Sequence, residues 1–181
     1  MSALLELKPI TNQHAFNTAR WEKLLADPEL ARLDQRIETD RYGTILMSPP
    51  PGVDHGGWQS DACFILRTLM PQGRTLTECP ISTSEGVKAA DVVWISRARL
   101  AKARRKNLLV LAPEICVEVL SPTNRRGEIE EKKRLYFEGG AKEVWIVGLK
   151  GRLNFFLRDA PDTAARHSGL CPEFPGALEA L

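Results

Sequence analysis

Apolar positions along this chain change period several times, and each change marks a different element. Over residues 11–35, Trp21, Leu24, Leu25 and Leu30 recur at helical spacing, and Asp27-Pro28 interrupts them. Tyr42 to Met47 reads as a strand running into the rigid Pro49-Pro50-Pro51-Gly52. A second helix begins near Asp54, with a stripe through Trp58, Ala62, Ile65, Leu66 and Leu69, and stops at Pro71 and Gly73. The period then falls to two. Thr75 to Ile81 and Val87 to Ile95 are strands joined by the turn-rich 82–86. Residues 97–106 form a basic, helical connector. Pro113 opens a strand over 114–120, and a helix follows over 127–138, stopped by Gly139-Gly140. Glu143 to Val147 and Leu153 to Leu157 make a last strand pair around Lys150-Gly151. The tail after Pro161 reads as irregular. The order predicts an α/β fold with a mixed central β-sheet flanked by helices.

Two positions break this pattern. Asp91 stands in Ala90-Asp91-Val92-Val93-Trp94-Ile95, and Glu118 in Ile115-Cys116-Val117-Glu118-Val119-Leu120. Alternation gives Asp91 the apolar face neighbours Ala89, Val93 and Ile95, and gives Glu118 the neighbours Cys116 and Leu120. Burying an unpaired carboxylate costs several kcal/mol, so each needs a partner or a cation. The ordinary explanations are a strand-end position for Glu118 and, for Asp91, satisfaction by a nearby lysine or arginine, with Lys88 available for that. The functional one is a pair of oxygens presented by adjacent strands to one metal ion.

The helix over 127–138 sharpens the second explanation. Ile129 and Tyr136, seven apart, define its apolar face; Lys132 falls between them at i+3 and i−4, and Lys133 lies on the same side. An inward lysine either snorkels along the helix or pairs with Glu118. Angular position leaves both lysines open. Carboxylates, a backbone carbonyl and waters suit Mg²⁺, with Mn²⁺ as a substitute, and acid, acid and lysine together suit phosphodiester hydrolysis.

Composition changes the picture little. The chain has 181 residues and a net charge of +2, enough for a single domain with a core and without a global basic field. The four cysteines form no CxxC pair and read as reduced, buried thiols of a cytoplasmic protein. No apolar run reaches transmembrane length. Arg97 to Lys106 carries six basic residues and no acid, which suits either a phosphate contact or a solvated helix. Arg125 and Arg126 follow the Glu118 strand directly and are the better placed DNA-binding candidates. Glu78 is a secondary candidate for a third acid. The histidines show no metal-ligand spacing, and no base and orienting acid accompany Ser121 at recognisable positions in the sequence.

Several of these segments together resemble the Uma-type restriction endonuclease family of the PD-(D/E)XK nuclease superfamily. The matching motifs are Ser48-Pro49-Pro50 with His55 following, Ala90-Asp91-Val92, Cys116 to Pro122, and Glu131-Lys132-Lys133-Arg134-Leu135-Tyr136 continuing to Trp145. The resemblance covers roughly 35–157 and implies a restriction-endonuclease-like fold and a Mg²⁺-dependent DNA endonuclease. It implies that Asp91 and Glu118 bind metal with the Val119 carbonyl, and it favours Lys132 over Lys133 through a Glu-Lys-x-x-x-Tyr pattern ending at Tyr136. His55 matches a histidine at the start of the first core helix, and Gln59 lies one turn on. Two departures stand out: Ala90 replaces the usual proline, and Leu120 replaces the superfamily's usual lysine, so the lysine must come from the helix. The expected organisation is a helical extension over 1–34, a nuclease-like core over 35–160 and an irregular tail over 161–181. DNA is the expected partner, no membrane is, and duplex cleavage implies a homodimer. The competing readings are a non-catalytic DNA-binding or assembly protein on the same fold, and a metal-dependent hydrolase of another substrate.

Overall fold

The architecture follows from where the chain reverses. In the computed structural model, which describes residues 10–33, 35–122, 124 and 126–179, with Arg126 by its backbone only, the first helix is α1 (Gln13–Leu25). The Asn12 side chain caps it by accepting from the Ala15 amide at 3.0 Å. A short 3₁₀ turn, Leu30–Arg32, replaces the rest of the expected helix beyond Asp27-Pro28. Next come β1 (Arg36–Thr39) and β2 (Ile45–Ser48), an antiparallel hairpin. The pattern of charges hid β1, because Arg36-Ile37-Glu38-Thr39 looks solvated whereas Glu38 and Thr39 are buried. Strand β2 starts later than Tyr42 because the Asp40 carboxylate accepts from the Tyr42 and Thr44 amides and holds that segment as the turn.

Helix α2 (Val53–Leu69) leads into β3 (Gly73–Thr83) and β4 (Gly86–Ser96), the longest strand pair. Their turn is tight. Gly86 sits at φ +98°, and a Cβ there would lie 2.3 Å from the Thr39 carbonyl oxygen. The basic connector is helical only over α3 (Arg97–Ala103); Lys106, at φ +46°, then turns β5 (Arg104–Arg105) onto β6 (Leu108–Leu109). Strand β7 (Ile115–Val119), helix α4 (Arg126–Glu138), β8 (Glu143–Val147) and β9 (Leu153–Leu157) match the sequence reading closely. An added strand, β10 (Ala160–Ala165), pairs with β9 at the start of the segment read as irregular.

The large sheet runs in the order β10-β9-β8-β7-β4-β3-β6-β5, and the β7–β8 and β3–β6 pairs are parallel within it. Alternation divides its two faces. On one, α2 buries Trp58, Ala62 and Leu66 against Val92, Trp94, Val117, Val119 and Trp145. Cys171, Phe174 and Leu178 of the tail close this layer, with the Phe174 ring 4.6 Å from Trp145. On the other face, α4 buries Ile129 and Tyr136 against Val93, Ile95, Cys116 and Val144. Asp91 and Glu118 belong to this second face. Trp21 and Leu24 of α1 form a smaller cluster with Val87 and Leu108. All four cysteines are free, and no helix among the described residues is long and apolar enough to cross a membrane.

Candidate active site

The register of β4 places its acid beside that of β7. Val93 pairs with Cys116 and Val92 with Val117; one step further, Asp91 faces Glu118, and there the pairing stops. On the other flank the β3–β4 ladder skips the same position, pairing Thr77 with Val92 and Cys79 with Ala90. Glu78, the residue passed over, has φ +48°, a left-handed backbone that ladder geometry does not accommodate. The strand therefore carries Asp91 without a ladder partner on either side.

The freed backbone groups are used locally. Gln59 of α2 donates its side-chain amide to the Asp91 carbonyl at 3.0 Å and to Glu78 Oε1 at 2.7 Å. The Val119 amide donates to Asp91 Oδ2 at 2.6 Å, which aims the carboxylate across β7. Arg36 of β1 meets the other oxygen, Oδ1, in a hydrogen-bonded ion pair, and His55 Nε2 lies 3.6 Å from the same atom. Asp91 is 1% exposed. Burial disfavours its charge, but His55, Arg36 and the Val119 amide outweigh that and hold its carboxyl below the ordinary carboxylate range.

Glu118, 2% exposed, is held by α4. Tyr136 donates its hydroxyl to Oε1 at 2.6 Å, and Lys132 Nζ donates to Oε2 at 3.2 Å. Lys132 also reaches Glu38 Oε1 at 2.7 Å and the Ala89 carbonyl at 3.4 Å. Burial pushes the Glu118 carboxyl up to about 7; Lys132 opposes the rise and the charge of Asp91 adds to it. Tyr136 rises well above its ordinary value through burial and then the charge of Glu118, so it stays a donor. Burial works against the Lys132 charge, but Glu118 and Glu38 raise its pKa and keep it protonated.

Of the residues named from sequence, Asp91, Glu118, Val119, Lys132, Tyr136, His55, Gln59 and Glu78 converge here. Lys133 does not: its amine sits 2.7 Å from Glu130 Oε2 and 4.2 Å from the centre of the Phe156 ring. Arg125 and the Arg126 side chain lie outside the described residues. Lys88 is not the partner of Asp91; its amine is directed at the Thr39 carbonyl, 3.4 Å away. Within the basic run, Arg99 is structural, donating to the Ala112 and Gly140 carbonyls at 2.8 and 2.7 Å.

Two participants escaped the sequence reading, Arg36 and Glu38. Both belong to the overlooked strand β1, whose two-residue spacing puts them on one face. Glu38 Oε1 accepts from the Ala89 amide at 3.0 Å as well as from Lys132, so β1 is tied directly to β4. The assembled site holds four carboxylates, those of Glu38, Glu78, Asp91 and Glu118, facing the cations of Arg36 and Lys132.

This sheet topology and the Asp91–Glu118–Lys132 cluster define an α/β protein of the restriction-endonuclease-like class. A family model described as "Uma2: Putative restriction endonuclease" matches residues 21–169, and the chain belongs to that family. Its fold is similar to the crystal structure of a putative nuclease of DUF820 from Anabaena variabilis ATCC 29413. That likeness has a TM-score of 0.64 at 17% identity and covers 87% of this chain and 93% of the other. No curated protein matches the chain.

Proposed function

We propose that the protein is a metal-dependent DNA endonuclease that hydrolyses phosphodiester bonds, with Asp91, Glu118 and Lys132 as its catalytic residues. The observation that carries this reading is the meeting of Lys132, from α4, with Glu118 of β7 beside Asp91 of β4. Leu120 leaves no lysine at the end of β7 itself; the helix supplies the amine instead.

The cluster suits a hard divalent cation. Its carboxylates outnumber its permanent cations, and burial, with the charge of Asp91 added, lifts the Glu118 carboxyl to about 7 against the pull of Lys132. Polar atoms are orphaned around it: buried His55 Nδ1, Arg36 Nε and Arg36 Nη2 have no hydrogen-bond partner among the described residues. No group of three or more His, Cys, Asp or Glu side chains among them is arranged to hold a metal. Two carboxylates and the Val119 carbonyl still match Mg²⁺, which keeps several waters and uses few protein ligands.

Asp91 and Glu118 with the Val119 carbonyl would hold the ion, which would offset charge on the phosphate and lower the pKa of a neighbouring water. The chain's own groups do the rest. The Val119 amide and Tyr136 hydroxyl fix the two carboxylates, so that little reorganisation is needed when charge develops. Glu38 anchors Lys132 with its ammonium toward Glu118, where it can orient the attacking water and offset charge on the scissile phosphate. His55 sits beside Asp91, its Nε2 3.6 Å from Oδ1, and its buried Nδ1 has no hydrogen-bond partner among the described residues. Duplex cleavage calls for two such sites, so the working form is a homodimer.

The test is incubation of the full chain with duplex DNA, single-stranded DNA and RNA, in Mg²⁺, Mn²⁺ or EDTA. Expected is metal-dependent cleavage of DNA that EDTA stops. Absence of cleavage of every substrate in both metals, or full activity in EDTA, overturns the reading.

A further inference from the structure

Arg36 holds the side of the site where a cation would otherwise be wanted. Its guanidinium is paired with Asp91 Oδ1, lies 3.3 Å from Glu78 Oε2 through Nε, and lies 3.8 Å from Glu38 Oε1 through Nη2. Three carboxylates surround it, yet the bonding is incomplete. Only Nη1 makes a hydrogen bond here, to Asp91, while Nε and Nη2 are buried without one. An arginine built in as permanent structure normally spends its planar fork of donors in bidentate contacts. Arg99 of this same chain does so, bonding two carbonyls and pairing with Glu114.

The surroundings offer Arg36 a second place. Asp91 is 1% exposed at its side chain, whereas Glu78 is 46% exposed at the rim. Gln59 fixes Glu78 at Oε1 and leaves Oε2 toward the guanidinium. The left-handed backbone of Glu78 lifts it from the ladder directly opposite Asp91. Inner and outer carboxylates thus stand on either side of one half-satisfied cation.

We propose that Arg36 is a resident counter-cation, whose guanidinium competes with the divalent metal for Asp91 and withdraws toward Glu78 when metal loads. The inference rests on the metal-binding role given to Asp91 and Glu118 above. It explains how four clustered carboxylates tolerate one another before loading, and it makes metal affinity depend on a residue that is not a ligand. An arginine in place nine-tenths of the time reduces apparent affinity about tenfold, because only the withdrawn fraction is competent.

Calorimetric titration of the full chain with Mn²⁺, without DNA, tests this. R36Q is expected to bind Mn²⁺ about tenfold tighter than the wild type, and R36K about threefold tighter, since lysine keeps the charge but loses the fork. The charge control is R41Q, from the same hairpin: Arg41 meets Glu85 at 3.4 Å. Its affinity stays within about twofold of wild type, because solvent and salt screen an exposed charge. In melting experiments R36Q loses stability in EDTA, and Mn²⁺ raises its midpoint by more than it raises that of the wild type. Wild-type binding with R36Q equal or weaker overturns the Arg36 inference and leaves the nuclease reading standing. Should R36Q not fold, unchanged affinity in R36K overturns the inference equally. Failure of the wild type and every variant to bind Mn²⁺ overturns both.

Discussion

Lys132→Met probes the centre of the site, because methionine keeps the length and apolar stem of the side chain and removes only the charge. The lysine is buried between two carboxylates, 2.7 Å from Glu38 and 3.2 Å from Glu118. Removing one member of a buried ion pair costs about 3–5 kcal/mol, since the partner stays buried without countercharge. The pH dependence follows from Glu118, whose carboxyl lies at about 7 in the folded protein against 4.5 as its ordinary value. A raised carboxyl means that the folded state holds its proton more tightly than the unfolded one. The contribution of Glu118 to wild-type stability therefore falls as pH rises from 4.5 to about 7 and levels off above it. Without Lys132 the proton is held to still higher pH, so the variant continues to lose about 1 kcal/mol per unit above 7. Urea unfolding followed by circular dichroism at pH 5.5 and pH 8 measures both terms. A loss below about 1 kcal/mol at pH 8, or the same loss at both pH values, would refute the charge network.

Three further outcomes are expected. Asp91→Asn keeps an oxygen for the Val119 amide but removes the charge; in a gel cleavage assay it loses on the order of 10³-fold in rate while its far-ultraviolet spectrum is unchanged. Phe174→Ala removes the ring packed against both Trp145 and Phe155 and costs about 3–5 kcal/mol in urea unfolding, and retained stability would show that the tail does not seal the α2 face. Gly86→Ala forces a Cβ onto the Thr39 and Asp40 carbonyls from a left-handed backbone; it is expected to lower stability by about 2 kcal/mol or more in urea unfolding, and unchanged stability would refute that close approach.

Much of the site was legible because its two acids violate a local rule. An aspartate among Ala89, Val93 and Ile95, and a glutamate between Cys116 and Leu120, are visible from alternation alone, and both lie on the α4 face as alternation requires. The inward side of α4 was legible for the same reason. Its rotation was not, and Lys132 was separated from Lys133 only through resemblance to a family pattern. Arg36 and Glu38 were missed because a strand with charges turned inward looks like a solvated loop. The tail beyond β10 has no helix or strand among the described residues, and its packing was hidden because its apolar residues have no period; Cys171, Phe174 and Leu178 pack as single anchors on a surface formed elsewhere.

By itself the sequence determined the elements and the face each side chain takes, since periods of two and 3.6 are properties of the local backbone. It also determined that two strands each carry a carboxylate needing a partner. Only the tertiary structure decided which partners those are. The register of β4 on β7, the seating of α4 over Glu118 and the laying of β1 across β4 join residues up to 94 positions apart along the chain, Glu38 and Lys132 among them. Such contacts are set by how layers of the core pack, and no local spacing encodes them. The charge balance at Asp91 is likewise a sum over four elements, and only their assembly shows that its arginine comes from β1.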